Sequence, residues 1–267
     1  MDLQTSWLPT LRTIVSPPPV WREFRFGLEL RALLRDRRFH DPAEAPKSRA
    51  VMLIPGFLTG DGSLGFMGSW LKRSGHRTRR AGIRLNIDCS EAAMSRLEDC
   101  LERFCDEQAE RAFIVGQSRG GTFARVLAVR RPDLVRGVVT LGSPHLEPLA
   151  VHPLVLLQGA AIAALGSIGV PGVASHSCVT GDCCNDFVDD LSADFPAGVR
   201  FVSIYSRSDG VVDWRACLDP AALHVEVDST HCGMSVHGDV FDVVSRALRP
   251  RLVLRRESAG NRGRAAA

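Results

Sequence analysis

A serine hydroxyl attacks a carbonyl only when a base takes its proton and a carboxylate steadies that base, so the first question is whether the chain can bring a Ser, an Asp and a His together. The segment VGQSRGG, Val115–Gly121, sets Ser118 between the apolar run AFIV and the helical stretch GTFARVLAVRR. Gly116 and Gly120 stand two residues to either side, giving the clearance that a nucleophile on a sharp strand-to-helix turn requires. Five residues of this kind occur by chance, and the flanking strand and helix supply the confirming context. Downstream, SRSDGVVDW puts Asp209 just past the apolar run VRFVSIYS, and DSTHCGM puts His231 just past LHVEV. The chain order serine, acid, histidine is the one this elbow demands.

Other residues compete for these places. Asp213 is the runner-up acid, four positions along the same loop, where a turn or surface role suits it better. Asp228 ends a strand and suits a bracing role, while Asp189, Asp190 and Asp194 read as a solvated charge run. His237 falls at the start of the last helix and suits a cap. His145, after LGSP, is expected to face the mouth of the site with Leu146 as a substrate contact, but it precedes the acid and so has the wrong order for the base. A tetrahedral intermediate also needs main-chain donors for its oxyanion. One is the N–H of Arg119, and the other lies in PGFLTGDGS, where Phe57 follows the turn and Leu58 is the alternative and a further substrate contact. That loop lacks the lysine of a phosphate loop, and GQSRGG has a bulky residue where a dinucleotide pyrophosphate would lie.

These residues need a scaffold that converges them. Apolar strands at 50–54, 111–116 and 135–144 alternate with helices at 91–110 and 121–131, and strands resume at 199–206 and 222–228 before a last helix at 236–248. Strands apolar throughout predict a parallel sheet covered on both faces, whose carboxyl-end loops meet at one edge. Residues 145–193 break the alternation and predict a cap or lid insertion within a domain spanning 50–249. Residues 1–49 form an N-terminal extension whose periodic Phe24, Leu28, Leu30, Leu33 and Leu34 predict an amphipathic helix packed on the body. Residues 250–267 read as a basic, flexible tail.

Composition narrows the partners. A net charge of +3, from 33 basic and 30 acidic residues, with a single tyrosine, gives no footprint for nucleic acid. The N-terminus lacks a secretory signal, which predicts a cytoplasmic protein. The longest apolar run, 153–174, is too interrupted to span a bilayer but suits an apolar substrate or a peripheral membrane contact. There are eight cysteines. Zinc is conceivable at Cys178, Cys183 and Cys184, yet no second closely spaced pair completes a signature, so no metal is expected. A bridge between Cys217 and Cys232 would brace the two catalytic loops.

Taken together, LIPGF, VGQSRGGTFARVLAVRRPDLVRGVVTLGSP, SRSDGVVDW and DSTHCGM resemble the α/β-hydrolase superfamily, and most closely its bacterial lipase-like and esterase-like members. The resemblance covers about residues 50–248. It implies an α/β fold with a mostly parallel central sheet flanked by helices and a lid-like insertion after the sixth strand. It also implies Ser118 as the acylated nucleophile, Asp209 as the acid, His231 as the base and Phe57 with Arg119 as oxyanion donors. The implied activity is hydrolysis of carboxylic esters, including lipids, without metal or organic cofactor. Many members carry a histidine before the serine, and this chain has Gln117, a residue placed to alter hydrogen bonding beneath the elbow. Acyl transfer or thioester hydrolysis on the same acyl-enzyme, and a non-catalytic binding scaffold, are the alternatives. The oligomeric state is left open.

Overall fold

The computed structural model of the chain describes residues 16–180 and 183–249. Six strands, β1 (Ala50–Ile54), β2 (Arg77–Arg80), β3 (Ala112–Gln117), β4 (Val135–Leu141), β5 (Arg200–Tyr205) and β6 (Leu223–Glu226), form one sheet in the order β2-β1-β3-β4-β5-β6. Every neighbouring pair is parallel. Along the chain the helices are α1 (Phe26–Leu33), α2 (Arg37–His40), α3 (Gly65–Arg73), α4 (Ser90–Gln108), α5 (Arg119–Arg130), α6 (Pro153–Ser167), α7 (His176–Thr180), α8 (Asn185–Ser192) and α9 (Gly238–Leu248).

The continuous burial of β1 and β3 follows from helices on both faces of the sheet. Ala50, Met52 and Ile54 point to a core shared with Leu97 and Leu101 of α4, Phe123 and Leu127 of α5, and Phe187 and Leu191 of α8. Val51 and Leu53 point the other way, against Met67 and Leu71 of α3, Val240 and Val244 of α9, and Leu33 of α1. The edge strand β2 is charged instead of apolar, with Arg77 paired to Glu110 and Arg79 to Glu107. A charged edge discourages pairing with another chain.

Two expectations change here. The segment 145–193, expected as an insertion after the sixth strand, follows the fourth strand, β4, among the described residues. Its halves also differ. Cys184, Phe187 and Leu191 are buried against α5, whereas α6 buries only Ala163 and leaves Leu154, Leu157, Leu165 and Ile168 exposed.

The N-terminal segment differs more. Instead of one amphipathic helix it forms a 3₁₀ turn, Val20–Arg25, followed by α1 and α2. Phe24 and Leu28 are 90% and 67% exposed while Glu29 is buried, so polar anchoring has overridden the apolar stripe. No helix among the described residues is long and apolar enough to cross a membrane. The tail, 250–267, lies outside the described residues.

Candidate active site

Ser118 stands between the end of β3 and the start of α5 at φ 52° and ψ −124°, a conformation that costs a residue with a side chain roughly 1–3 kcal/mol. Its neighbours explain how it is held. A Cβ on Gly116 would lie 2.3 Å from the Gly120 carbonyl oxygen, and one on Gly120 would lie 2.3 Å from that of Ile54. Backbone therefore touches backbone on both sides of the serine, as the elbow pattern predicted. The Ser118 N–H donates to the Leu141 carbonyl at 2.8 Å, tying the turn to the end of β4.

Asp209 and His231 come from the loops after β5 and β6. His231 Nδ1 lies 2.7 Å from Asp209 Oδ2, with both residues buried. The other oxygen, Oδ1, accepts the main-chain N–H groups of Val211 at 2.8 Å and Val212 at 2.7 Å. A carboxylate so occupied fixes the imidazole as its Nδ1–H tautomer and leaves Nε2 as the basic nitrogen. Burial, the largest influence, pushes the His231 pKa down, but the charge and hydrogen bond of Asp209, with Glu23 adding, raise it above the ordinary histidine value. Gly142, at φ +54°, completes the fit, since a Cβ there would sit 2.9 Å from Asp209 Oδ2 and 3.0 Å from His231 Nδ1. Among the described residues no hydrogen bond joins Ser118 Oγ to His231. Such contacts often tighten only around substrate.

The competing residues serve elsewhere. Asp213 caps the 3₁₀ turn at Trp214–Cys217 and pairs with Arg215. Asp228 accepts from Ser208 and lies near Arg25. His237 caps α9 by accepting the Asp239 N–H.

The N-terminal segment supplies residues that sequence reasoning missed. Glu23 Oε1 accepts the N–H groups of Gly210 and His231, each at 2.9 Å, and Oε2 accepts that of Cys232 at 3.0 Å. Glu29 accepts the N–H of Thr230 at 3.0 Å and its hydroxyl at 2.7 Å. Glu23 thus ties the loops bearing Asp209 and His231 to each other, and Glu29 ties the His231 loop to α1. Nothing in the spacing of WREFRFGLELR marks them, because they read as the polar face of a helix.

The loop after β1 is held in a similar way by Asn86, which is fully buried and was also missed. Its Nδ2 donates to the Pro55 carbonyl at 2.9 Å, and its carbonyl accepts the Leu58 N–H at 3.4 Å. Leu58 is thus engaged, whereas the N–H groups of Phe57 and Arg119 donate to no acceptor among the described residues. The Arg119 side chain turns away and donates to the carbonyl and Oδ1 of Asn86, the Asp88 carbonyl and Ser90 Oγ. Burial pushes its pKa down to about 10. Gln117 Nε2 donates to the His231 carbonyl at 2.9 Å, so the side chain before the serine holds the base loop against the elbow.

No protein-family model matches the chain, and no curated sequence does. Solved structures do. The mature lipase BlEst2 of Bacillus licheniformis aligns at a TM-score of 0.55 and 17% identity over 76% of this chain and 94% of that one. A soluble variant of the Saccharomyces cerevisiae monoglyceride lipase, with a substrate analogue bound, aligns at 0.54 and 15% over 77% and 87%. The Paleococcus ferrophilus monoacylglycerol lipase aligns at 0.51 and 15% over 77% and 97%. The chain has the α/β-hydrolase fold.

Within that α/β-hydrolase fold two expected features are absent. His145 does not face the mouth. It is buried edge-on against Phe201, its Nε2 3.0 Å from Thr140 Oγ1, and burial pushes its pKa down to about 3. The ring packs beside Phe201, on the side of the sheet covered by α4, α5 and α8. Leu58 and Leu146 do remain exposed. Cys217 and Cys232 are free thiols, one buried and one exposed, so they form no bridge between the loops.

Proposed function

We propose that the protein is a serine hydrolase cleaving carboxylic esters with an apolar acyl group. The observation carrying this reading is the 2.7 Å Asp209–His231 pair beside a serine on a strained elbow. His231 Nε2 takes the Ser118 proton as Oγ attacks the ester carbonyl, and Asp209 holds the imidazole in its tautomer and stabilises its charged form. The free N–H groups of Phe57 and Arg119 receive the oxyanion. His231 then protonates the leaving alcohol, and water activated by the same nitrogen releases the acid from Ser118.

The apolar acyl preference is supported by α6. It starts beside the acid loop, where His152 N–H donates to the Val211 carbonyl at 2.7 Å and Val151 bridges to Val212. Its exposed Leu154 and Leu157, with Leu58 and Leu146, give an acyl chain or a lipid surface something apolar to meet. A panel of aryl esters of increasing acyl length, run on the wild type and Ser118→Ala, tests the proposal. Turnover that rises with acyl length and disappears in the variant is expected. Turnover surviving Ser118→Ala overturns the site, and product appearing on an added alcohol instead of as free acid turns the reading to acyl transfer.

A further inference from the structure

Three cysteines of the insertion gather around a fourth from far upstream. Cys89 caps α4, Cys178 lies in α7, and Cys183 and Cys184 lead into α8. Their four sulfurs all lie within 4.8 Å of one another. Cys89 Sγ is 3.8 Å from Cys183 Sγ and 3.6 Å from Cys184 Sγ, while Cys183 Sγ is 3.2 Å from Cys178 Sγ and 3.7 Å from Cys184 Sγ. None is bonded to another. A disulfide would bring its sulfurs to about 2.0 Å. Four thiolates about 2.3 Å from one tetrahedral ion stand about 3.8 Å apart, close to the spacing found here. A bridged iron–sulfur core would hold its thiolates farther apart than a single ion does.

The charge around the quartet fits the same occupant. Arg119 is partly buried, every hydrogen-bond acceptor it uses is neutral, and among the described residues no carboxylate pairs with it. It lies within electrostatic range of Cys184, Cys89 and Cys178. A buried cation without a counter-charge is costly. Four thiolates around a divalent ion carry a net charge of two minus and supply that counter-charge. The main-chain N–H of Glu91, in the first turn of α4, also reaches Cys184. Donors and positive charge beside metal-bound sulfur stabilise the thiolate form.

We propose that Cys89, Cys178, Cys183 and Cys184 bind one Zn²⁺ in a closed tetrahedral site that pins the insertion to the start of α4. Each thiol gives up its proton on binding, so four protons leave as one ion enters. With all four positions filled by protein the site is structural. It amends the expectation of no metal, which rested on Cys178, Cys183 and Cys184 lacking a partner, and Cys89 is that partner. Asp88 and Ser90, on either side of Cys89, are ligands of Arg119, so the ion also stiffens the support behind the elbow.

The test uses the full chain purified under reducing conditions without chelator. About one zinc per chain is expected, and exchange for Co²⁺ should give the intense visible bands and thiolate charge transfer of a tetrahedral cobalt–sulfur site. Cys89→Ser and Cys184→Ser should lose the metal, Cys100→Ser should keep it, and Arg119→Gln should weaken Zn²⁺ binding about 10- to 100-fold. Should the ligand variants not fold, the wild-type cobalt spectrum decides by itself. A folded wild type that takes up neither Zn²⁺ nor Co²⁺, a disulfide mapped within the quartet, or iron with acid-labile sulfide overturns the proposal. None of these readouts depends on esterase activity.

Discussion

The Glu23 carboxylate accepts the main-chain N–H of His231 at 2.9 Å, and the same oxygen accepts that of Gly210, the residue after Asp209, at the same distance. A side chain from the N-terminal segment thereby sets the spacing between the acid loop and the base loop. Glu23 is a positioning residue in the proposed site, since it reaches the main chain of His231 and not its ring.

Glu23→Gln keeps the volume and one good acceptor, loses the acceptor for the Cys232 N–H, and removes a negative charge near the imidazole. Catalytic efficiency should fall on the order of 10-fold, less than the 100-fold that an ångström of misplacement costs. The acid limb of the pH–rate profile should also move to lower pH, because Glu23 helps raise the His231 pKa. A drop in rate with an unmoved limb would leave Glu23 a purely structural strut.

Asp209 and His231 fix the pH dependence. The proposed reaction needs neutral His231, whose pKa is raised above the ordinary value of about 6.5. Activity should therefore be present above that raised pKa and fall as pH drops through it. The contribution to stability runs the other way: it is full while the histidine is protonated, below the unfolded value, and is lost as pH rises through the folded one. Asp209→Asn should lower kcat about 10⁴-fold. Its single oxygen is needed by the Val211 and Val212 N–H groups, leaving an amide N–H facing Nδ1 and forcing the wrong tautomer. Steady-state kinetics across pH checks the two statements on activity, and thermal melts across pH check the one on stability.

Gly142→Ala places a methyl group against Asp209 Oδ2 and His231 Nδ1 at a residue with φ +54°. The strained backbone alone should destabilise the fold by roughly 1–3 kcal/mol. Pushing the pair apart should reduce kcat more than this loss explains at temperatures where the variant is folded. Thermal melts paired with kinetics separate the two effects.

Asn86→Ala removes the donor to the Pro55 carbonyl and the side-chain oxygen that accepts from Arg119. Each buried group left unpaired costs roughly 1–3 kcal/mol. A loosened oxyanion loop should lower kcat with little change in KM, because the Phe57 N–H is proposed to act on the transition state. A rise in KM at unchanged kcat would place the loop in ground-state binding instead.

The parallel sheet was legible in the sequence because AVMLI and AFIV are buried on both faces and must be apolar throughout. The elbow was legible because Gly116 and Gly120 are there for steric reasons that leave a mark in spacing. Glu23, Glu29 and Asn86 left no mark, since their partners are main-chain groups with no residue type. His145 misled for a related reason: its position after a strand is the same whether the ring faces the mouth or packs beside Phe201. Cys89 was invisible as a ligand because its companions are remote in the chain and only the packing of the insertion joins them.

In the proposed reaction Ser118 is the nucleophile and His231 the base that activates it. Labelling the folded chain with a fluorophosphonate and mapping the adduct by peptide mass spectrometry tests it most directly. A single adduct on Ser118 is expected, absent in Ser118→Ala and strongly slowed in His231→Ala. Folded wild-type protein that stays unlabelled, or carries the adduct on another residue, would contradict it.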